Sequence, residues 1–133
     1  MNYLIDTNIC IYIMNKRPPS VIQRFKKADI GTIGISSVTI SELYYGVCKS
    51  RKRIENEKRL EEFLIPFDIL AYDEQASRYY GQIRSMLEEQ GLTIGPLDML
   101  IAAHALSQDR ILVTNNEKEF KRIPSLIVEN WVG

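Results

Sequence analysis

The segment Tyr3-Leu4-Ile5-Asp6-Thr7-Asn8 places a short apolar run directly before a carboxylate. Such a run, broken by a polar residue, predicts a short buried strand over residues 2–5. A carboxylate that follows a strand of this kind lies at its carboxyl end, where open α/β sheets place their ligands. Asp6 is therefore the first candidate for a functional residue.

Strand and helix patterns alternate along the rest of the chain. Strands are predicted over residues 2–5, 31–36, 69–72, 111–114 and 126–128, and helices over 7–14, 19–28, 54–64, 76–87 and 97–108. A further helix, through Val47, could be capped by Ser37 or Thr39, and a short helical piece ends at Phe120. This alternation predicts the α/β class: a three-layer α/β/α sandwich around a central, mainly parallel sheet of about four to five strands.

Length and composition indicate one globular domain over residues 1–133, with 45% hydrophobic and 26% charged residues. The apolar runs are shorter than the ~18 residues that cross a membrane, and no signal peptide is visible, so we expect a cytoplasmic protein without a membrane partner. A formal net charge of zero argues against a general nucleic-acid coat protein, although a local patch can still bind phosphate. Cys10 and Cys48 lack metal-ligand spacing and are expected to be buried, unpaired thiols.

Polar residues at several predicted strand ends and helix starts have two interpretations. Each could cap a helix: Asp6 before the first helix, Glu42 with Thr39 in a Thr-x-x-Glu box, Asp98 after Pro96, and Asn116 with Glu119. However, the carboxyl ends of parallel strands share one edge of the sheet, so these groups are also expected to converge there.

Carboxylates that converge in one cleft repel one another, so such a site holds protons or a cation. Oxygen ligands without histidine or cysteine at ligand spacing favour Mg²⁺ or Mn²⁺ over zinc. Two such ions, about 3.5 to 4 Å apart, could activate water and stabilise the leaving oxygen in phosphodiester cleavage.

Several other polar residues have both a structural and a functional interpretation. The hydroxyls of Thr7 and Thr114 could orient the carboxylates, or be ordinary strand-end hydroxyls. His104 follows Asp98 by six residues, about 120° around a helix, and is interpreted as a packed, hydrogen-bonded histidine rather than a general base.

Basic residues cluster at one predicted bend. Lys49, Arg51, Lys52 and Arg53 could form a solvated face or contact RNA phosphates. In the charged helix that follows them, an ion pair between Glu55 and Arg59 is expected.

Four segments together resemble one known family. They are Leu4-Ile5-Asp6-Thr7-Asn8, Ser36-Ser37 leading to Ser41-Glu42-Leu43 and Tyr45-Gly46, Gly95-Pro96-Leu97-Asp98 with Ile101-Ala102, and Thr114-Asn115-Asn116 with Glu119-Phe120. In this order they resemble the PIN-domain ribonucleases, and more narrowly the VapC-type toxins of bacterial toxin–antitoxin pairs. The resemblance runs from residue 3 to about Trp131.

The resemblance implies a PIN-like nuclease domain with Mg²⁺- or Mn²⁺-dependent endoribonuclease activity on structured RNA, such as tRNA or rRNA loops. It also implies a homodimer, inhibition by a VapB-type antitoxin, and DNA contact only through the antitoxin complex. The matching acids are Asp6, Glu42 and Asp98.

At the fourth acidic place many PIN domains have Asp where this chain has Asn116. The implied metal ligands are thus Asp6, Glu42, Asp98 and Asn116, with Glu119 as a fourth catalytic acid. Asn115 joins Thr7 and Thr114 as a candidate orienting residue.

Two other functions fit parts of the sequence. In a haloacid-dehalogenase-type phosphatase Asp6 would be the covalent nucleophile, but that family has a second Asp where Asn8 stands. A PIN-like binding module with weak or no turnover is suggested by Asn116.

Overall fold

The computed structural model describes residues 1–133. Its five strands are β1 (Tyr3–Ile5), β2 (Ile33–Ser36), β3 (Asp68–Leu70), β4 (Ile111–Val113) and β5 (Val128–Glu129). Its α-helices are α1 (Thr7–Asn15), α2 (Pro19–Lys27), α3 (Ser37–Cys48), α4 (Arg53–Leu64), α5 (Glu74–Glu89), α6 (Pro96–Ser107) and α7 (Glu117–Phe120).

The strands form one sheet in the order β3-β2-β1-β4-β5, and every neighbouring pair is parallel. Leu4 on the central strand pairs with Gly34 on one side and with Leu112 on the other. From β1 the chain first builds outward through β2 and β3, and it later returns to the other side of β1 with β4. The carboxyl ends of β1 and β4 therefore flank the topological switch point, where such sheets form a crevice.

Helices cover both faces of the sheet, because successive residues of a strand point to opposite sides. Leu4 belongs to a hydrophobic cluster with Ile83 of α5 and Ile101 of α6. Ile5 belongs to a second cluster with residues of α1, α3 and α4. The predicted three-layer α/β/α arrangement with a parallel sheet is confirmed.

Three local predictions are wrong in detail. Gly31 and Thr32, expected to begin a strand, belong to a 3-10 helix over Ile30–Thr32, in which the Asp29 carboxylate accepts from the Gly31 amide. The last strand lies at Val128–Glu129, so it begins two residues and ends one residue later than predicted. Cys48 is exposed at the end of α3, whereas Cys10 is buried as expected.

Arg110 fixes the amino edge of the sheet, opposite the switch point. Its Nη1 donates to the backbone oxygens of Tyr3 and Thr32 at 3.1 and 3.3 Å, and its Nη2 lies 3.4 Å from an Asp68 oxygen. A Cβ on Gly34 would lie 2.9 Å from Arg110 Nη1, so glycine leaves room for this clamp.

None of the helices is long and apolar enough to cross a membrane.

Candidate active site

Asp6 is fixed at the carboxyl end of β1. Its Oδ1 accepts from the Ile9 amide at 3.0 Å, so it caps α1, and its Oδ2 accepts from the Thr114 hydroxyl. Thr114 follows β4, and its Oγ1 in turn accepts from the Asn116 amide at 2.9 Å. The side chains of Asp6 and Thr114 are buried. Asp6, which follows β1, is therefore linked to Thr114, which follows β4, across the switch point. The same side chain caps α1 and is one of the acids of the site.

Glu42 is oriented from across the cleft. The Thr7 hydroxyl donates to Glu42 Oε1 at 2.6 Å and lies 3.5 Å from the Thr39 hydroxyl. The Thr39–Glu42 capping box is a wrong interpretation, since the cap of α3 is Ser36, whose Oγ accepts from the Val38 amide. Glu42 is instead free to face Asp6.

The remaining predicted acids reach the same edge of the sheet. Asp98 lies in the first turn of α6 and is half-buried; Asn116 precedes α7, and its side chain is near enough to Asp98 to lower the pKa of that carboxyl. Glu119, in α7, is close enough to Asp98 to influence its ionisation. Thus Asp6, Glu42, Asp98, Asn116 and Glu119 come together from distant parts of the chain.

The ionisation of two carboxyls reflects this crowding. Burial raises the pKa of Asp6 from 3.8 to about 6; the bonds from Thr114 and Ile9 oppose the rise, while the negative charges of Asp98 and Glu42 add to it. Burial also raises the pKa of Asp98, together with the charges of Glu119 and Glu42 and against the influence of the Asn116 side chain. Asp6 and Asp98 are thus harder to ionise, chiefly because they are buried and in part because other negative charges are near.

No basic side chain compensates this charge. The ion pairs of the protein do not include Asp6, Glu42, Asp98 or Glu119. An uncompensated cluster of carboxylate and amide oxygens fits a hard divalent cation. As placed, no three acidic, histidine or cysteine side chains stand close enough together to hold an ion. Glu42, Asp98 and Glu119 are less buried than Asp6.

The other candidates lie outside this cluster. The Asn115 side chain contacts Tyr12 Oη and Asn130, each at 3.4 Å, rather than a carboxylate. His104 is fully buried, with Nδ1 2.7 Å from Ser36 Oγ, which confirms its interpretation as a packed histidine.

The basic bend lies between the end of α3 at Cys48 and the start of α4 at Arg53. The Lys49 ammonium lies 4.9 Å from the centre of the Tyr45 ring, and Lys52 pairs with Glu55 at 4.0 Å. Arg51 and Arg53 are exposed. The predicted Glu55–Arg59 pair is wrong, because Arg59 instead donates to Met14 O and Asn15 Oδ1.

A family model described as "PIN domain" matches residues 3–126. The chain belongs to the PIN-domain family. Among its relatives, a Rickettsia felis protein named "Ribonuclease VapC2" is 48% identical over 132 residues, covering 98% of each chain. A Shigella flexneri protein named "tRNA(fMet)-specific endonuclease VapC" is 44% identical, again over 98% of each chain. These matches place this PIN domain in the VapC group.

Solved structures agree with this PIN-domain assignment. One is described as VapBC2 from Rickettsia felis bound to a DNA fragment from their promoter; it is 47% identical, with a TM-score of 0.91 over 98% of this chain and 99% of that one. Because this PIN fold accounts for Asp6, Glu42 and Asp98 together, the haloacid-dehalogenase alternative is set aside.

Sequence reasoning missed two site features. Thr39 is buried beside Thr7. Ser36 is buried, and its hydroxyl lies between the Val38 amide of α3 and the His104 ring. The Thr-x-x-Glu spacing was a usable signal for Thr39, since it puts both residues on one face of α3, but the same spacing is typical of a cap.

Proposed function

We propose that this chain is a Mg²⁺- or Mn²⁺-dependent endoribonuclease, the toxin of a toxin–antitoxin pair, and that residues 1–133 act as one nuclease domain. The observation that carries the proposal is the group of four carboxylates at the switch point with no basic side chain to balance them. The names of the VapC relatives support RNA as the substrate.

Asp6 and Asp98 would hold the ion, with Glu42, Asn116 and Glu119 completing its surroundings. Asp6 is the rigid member, because Ile9 and Thr114 fix both of its oxygens. When bound, a divalent ion polarises the phosphoryl group and favours ionisation of water.

Glu42 is suited to take the proton in the hydrolytic step. Thr7 holds Oε1, which leaves Oε2 to accept a proton from the attacking water. The water oxygen bonds to phosphorus, and the bond from phosphorus to the leaving oxygen breaks. The leaving oxygen takes a proton from solvent water to become a hydroxyl, and Glu42 then returns its proton to solvent. A single-stranded loop of tRNA or rRNA suits the cleft, since its backbone can be splayed into it.

The partner assignment follows from the relatives and from one groove. Ile11 and Met14 of α1, together with Leu43 and Val47 of α3, line an apolar groove that also contains Glu42. We propose that a VapB-type antitoxin segment occupies this groove, that the toxin is a homodimer, and that DNA is contacted only through the antitoxin. Two related structures, both described as VapBC bound to DNA, support a partner of this kind.

Mapping of RNA ends tests the activity. Purified protein incubated with total tRNA and Mg²⁺ is expected to produce a small set of new 5′ ends that are absent when EDTA is present. Intact RNA in both samples, with the protein shown to be folded, would instead support a binding module without turnover.

A further inference from the structure

An open surface cavity with a cationic lining lies at the end of α1 away from Asp6. It is lined by Met14, Asn15, Lys16, Arg17 and Arg59. Three of these residues are positively charged and none is acidic, and no ion pair of the protein uses any of the three. The cavity therefore presents positive charge that no acidic side chain of the protein neutralises.

Arg59 is held in place at this cavity by α1 itself. Its Nη2 donates to Met14 O at 2.7 Å and to Asn15 Oδ1 at 3.0 Å, so it reaches across from α4 to the last turn of α1. Its Nε and Nη1 groups make no hydrogen bond within the chain and are available to an anion. A guanidinium fixed in this way suits phosphate, which accepts from its planar donors.

Lys16 occupies a backbone conformation that favours glycine or asparagine. Its φ of 58° and ψ of 35° are left-handed, and its amide bonds to Ile13 O while that of Arg17 bonds to Tyr12 O. This pair of bonds ends α1 in the way that glycine usually does. A lysine here keeps a charge at the cavity although glycine would fit the backbone with less strain.

The cavity adjoins the cleft of the carboxylates. Met14 and Arg59 line both the cavity and the apolar groove that contains Glu42. The nine residues of α1 span about 14 Å at 1.5 Å per residue, so the cations lie about one length of this helix from Asp6. A few nucleotides of single-stranded RNA can span that distance.

We propose that Lys16, Arg17 and Arg59 form a phosphate subsite that holds the backbone of single-stranded RNA a few nucleotides from the bond to be cut. This inference rests on the proposed function. An RNA strand entering the cleft meets carboxylates of like charge, and a protein with zero net charge offers no general attraction to offset that repulsion. Unpaired cations beside the cleft supply the attraction locally.

RNA binding at several salt concentrations tests the subsite without any cleavage. Fluorescence anisotropy of labelled oligouridylate is measured in the Asp98→Asn background without Mg²⁺. Adding Lys16→Asn and Arg17→Gln is expected to lower the slope of log Kd against log salt concentration by about 1.4, since each single-strand phosphate contact contributes about 0.7. Asparagine accepts the left-handed backbone, and Lys16→Gly, which also fits it, is expected to lower the slope by about 0.7.

A matched control removes two charges elsewhere. Lys26→Gln with Lys27→Gln changes exposed residues at the end of α2, outside both cavities, and is expected to keep the parent slope. Equal slopes in the cavity variant and the control, or no RNA binding by the parent, would overturn the subsite. Equal slopes with weakened binding of polyglutamate would overturn it too and assign the cavity to an acidic protein segment.

The two proposals fail separately. Cleavage of RNA by the unmutated protein combined with equal slopes rejects only the subsite. Absence of cleavage combined with the expected loss of slope rejects the nuclease activity and retains the subsite.

Discussion

Replacing Asp6 with asparagine is expected to stabilise the ion-free protein at neutral pH. The Asp6 side chain is 6% exposed, and its ionised form is disfavoured by burial and by Asp98 and Glu42. Asparagine caps helices about as well as aspartate does, so the bond from the Ile9 amide is retained. The substitution thus removes a buried charge and keeps the cap of α1, while the Thr114 hydroxyl, which donates to Oδ2 in the wild type, has to accept from the new Nδ2 group instead.

The size of the effect follows from the pKa of Asp6, which is about 6 in the folded protein and 3.8 for an unperturbed aspartate. A raised acid pKa means that the folded protein holds a proton that the unfolded chain releases between these values. The wild type therefore loses stability as the pH rises through this window and remains less stable above it. At about 1.4 kcal/mol per pH unit, the full cost at pH 7 is about 3 kcal/mol.

Urea unfolding at pH 4.5 and pH 7.5, with EDTA present, measures this difference. The stability advantage of Asp6→Asn over the wild type is expected to grow by about 2 kcal/mol between the two pH values. Asp29→Asn makes the same chemical change at an exposed helix cap before β2 and isolates the effect of burial. An advantage that does not change with pH, or a variant less stable than the wild type at pH 7.5, would refute the reasoning.

Three further substitutions probe the site and its support. Thr7→Val removes the donor to Glu42 Oε1 and is expected to slow RNA cleavage about 10- to 100-fold, whereas an unchanged rate would refute its orienting role. Gly34→Ala brings a Cβ to 2.7 Å from Leu70 Cδ1 and against the Arg110 clamp, so urea unfolding should show a loss of about 1 to 3 kcal/mol; no loss would contradict the tight packing. Burial lowers the pKa of His104, so stability should fall as the pH drops below 6.5, and His104→Gln should lack this fall in urea titrations from pH 7 to 5.

The sheet could be predicted because its strands are continuous apolar runs between helices, as at Leu4-Ile5 and Ile111-Leu112-Val113. The start of β2 could not be predicted, because the Asp29 cap forms a helical turn at residues 30–32 before the strand begins. The sequence there is compatible with either structure, and only the side-chain bond decides between them.

The acids of the site could be predicted for a similar reason. Parallel strands bring their carboxyl ends together, so the sequence alone predicts that Asp6, Asp98 and Asn116 lie at one edge of the sheet. The hydrogen-bond donor to Glu42 could not be predicted. Thr7 and Thr39 are both candidates by sequence, and whether Thr7 reaches Glu42 depends on how α1 packs on α3. The position of Arg59 likewise depends on packing between α4 and α1.

Single-turnover cleavage by Asp98→Asn tests the central claim most directly. Labelled tRNA is incubated with excess wild type, Asp98→Asn or Asp29→Asn in Mg²⁺, and the rates are compared. If the carboxylates at the switch point form the nuclease site, Asp98→Asn is expected to lose about 100-fold or more in rate while Asp29→Asn keeps the wild-type rate. Cleavage by Asp98→Asn at the wild-type rate would contradict the assignment of this cluster as the active site.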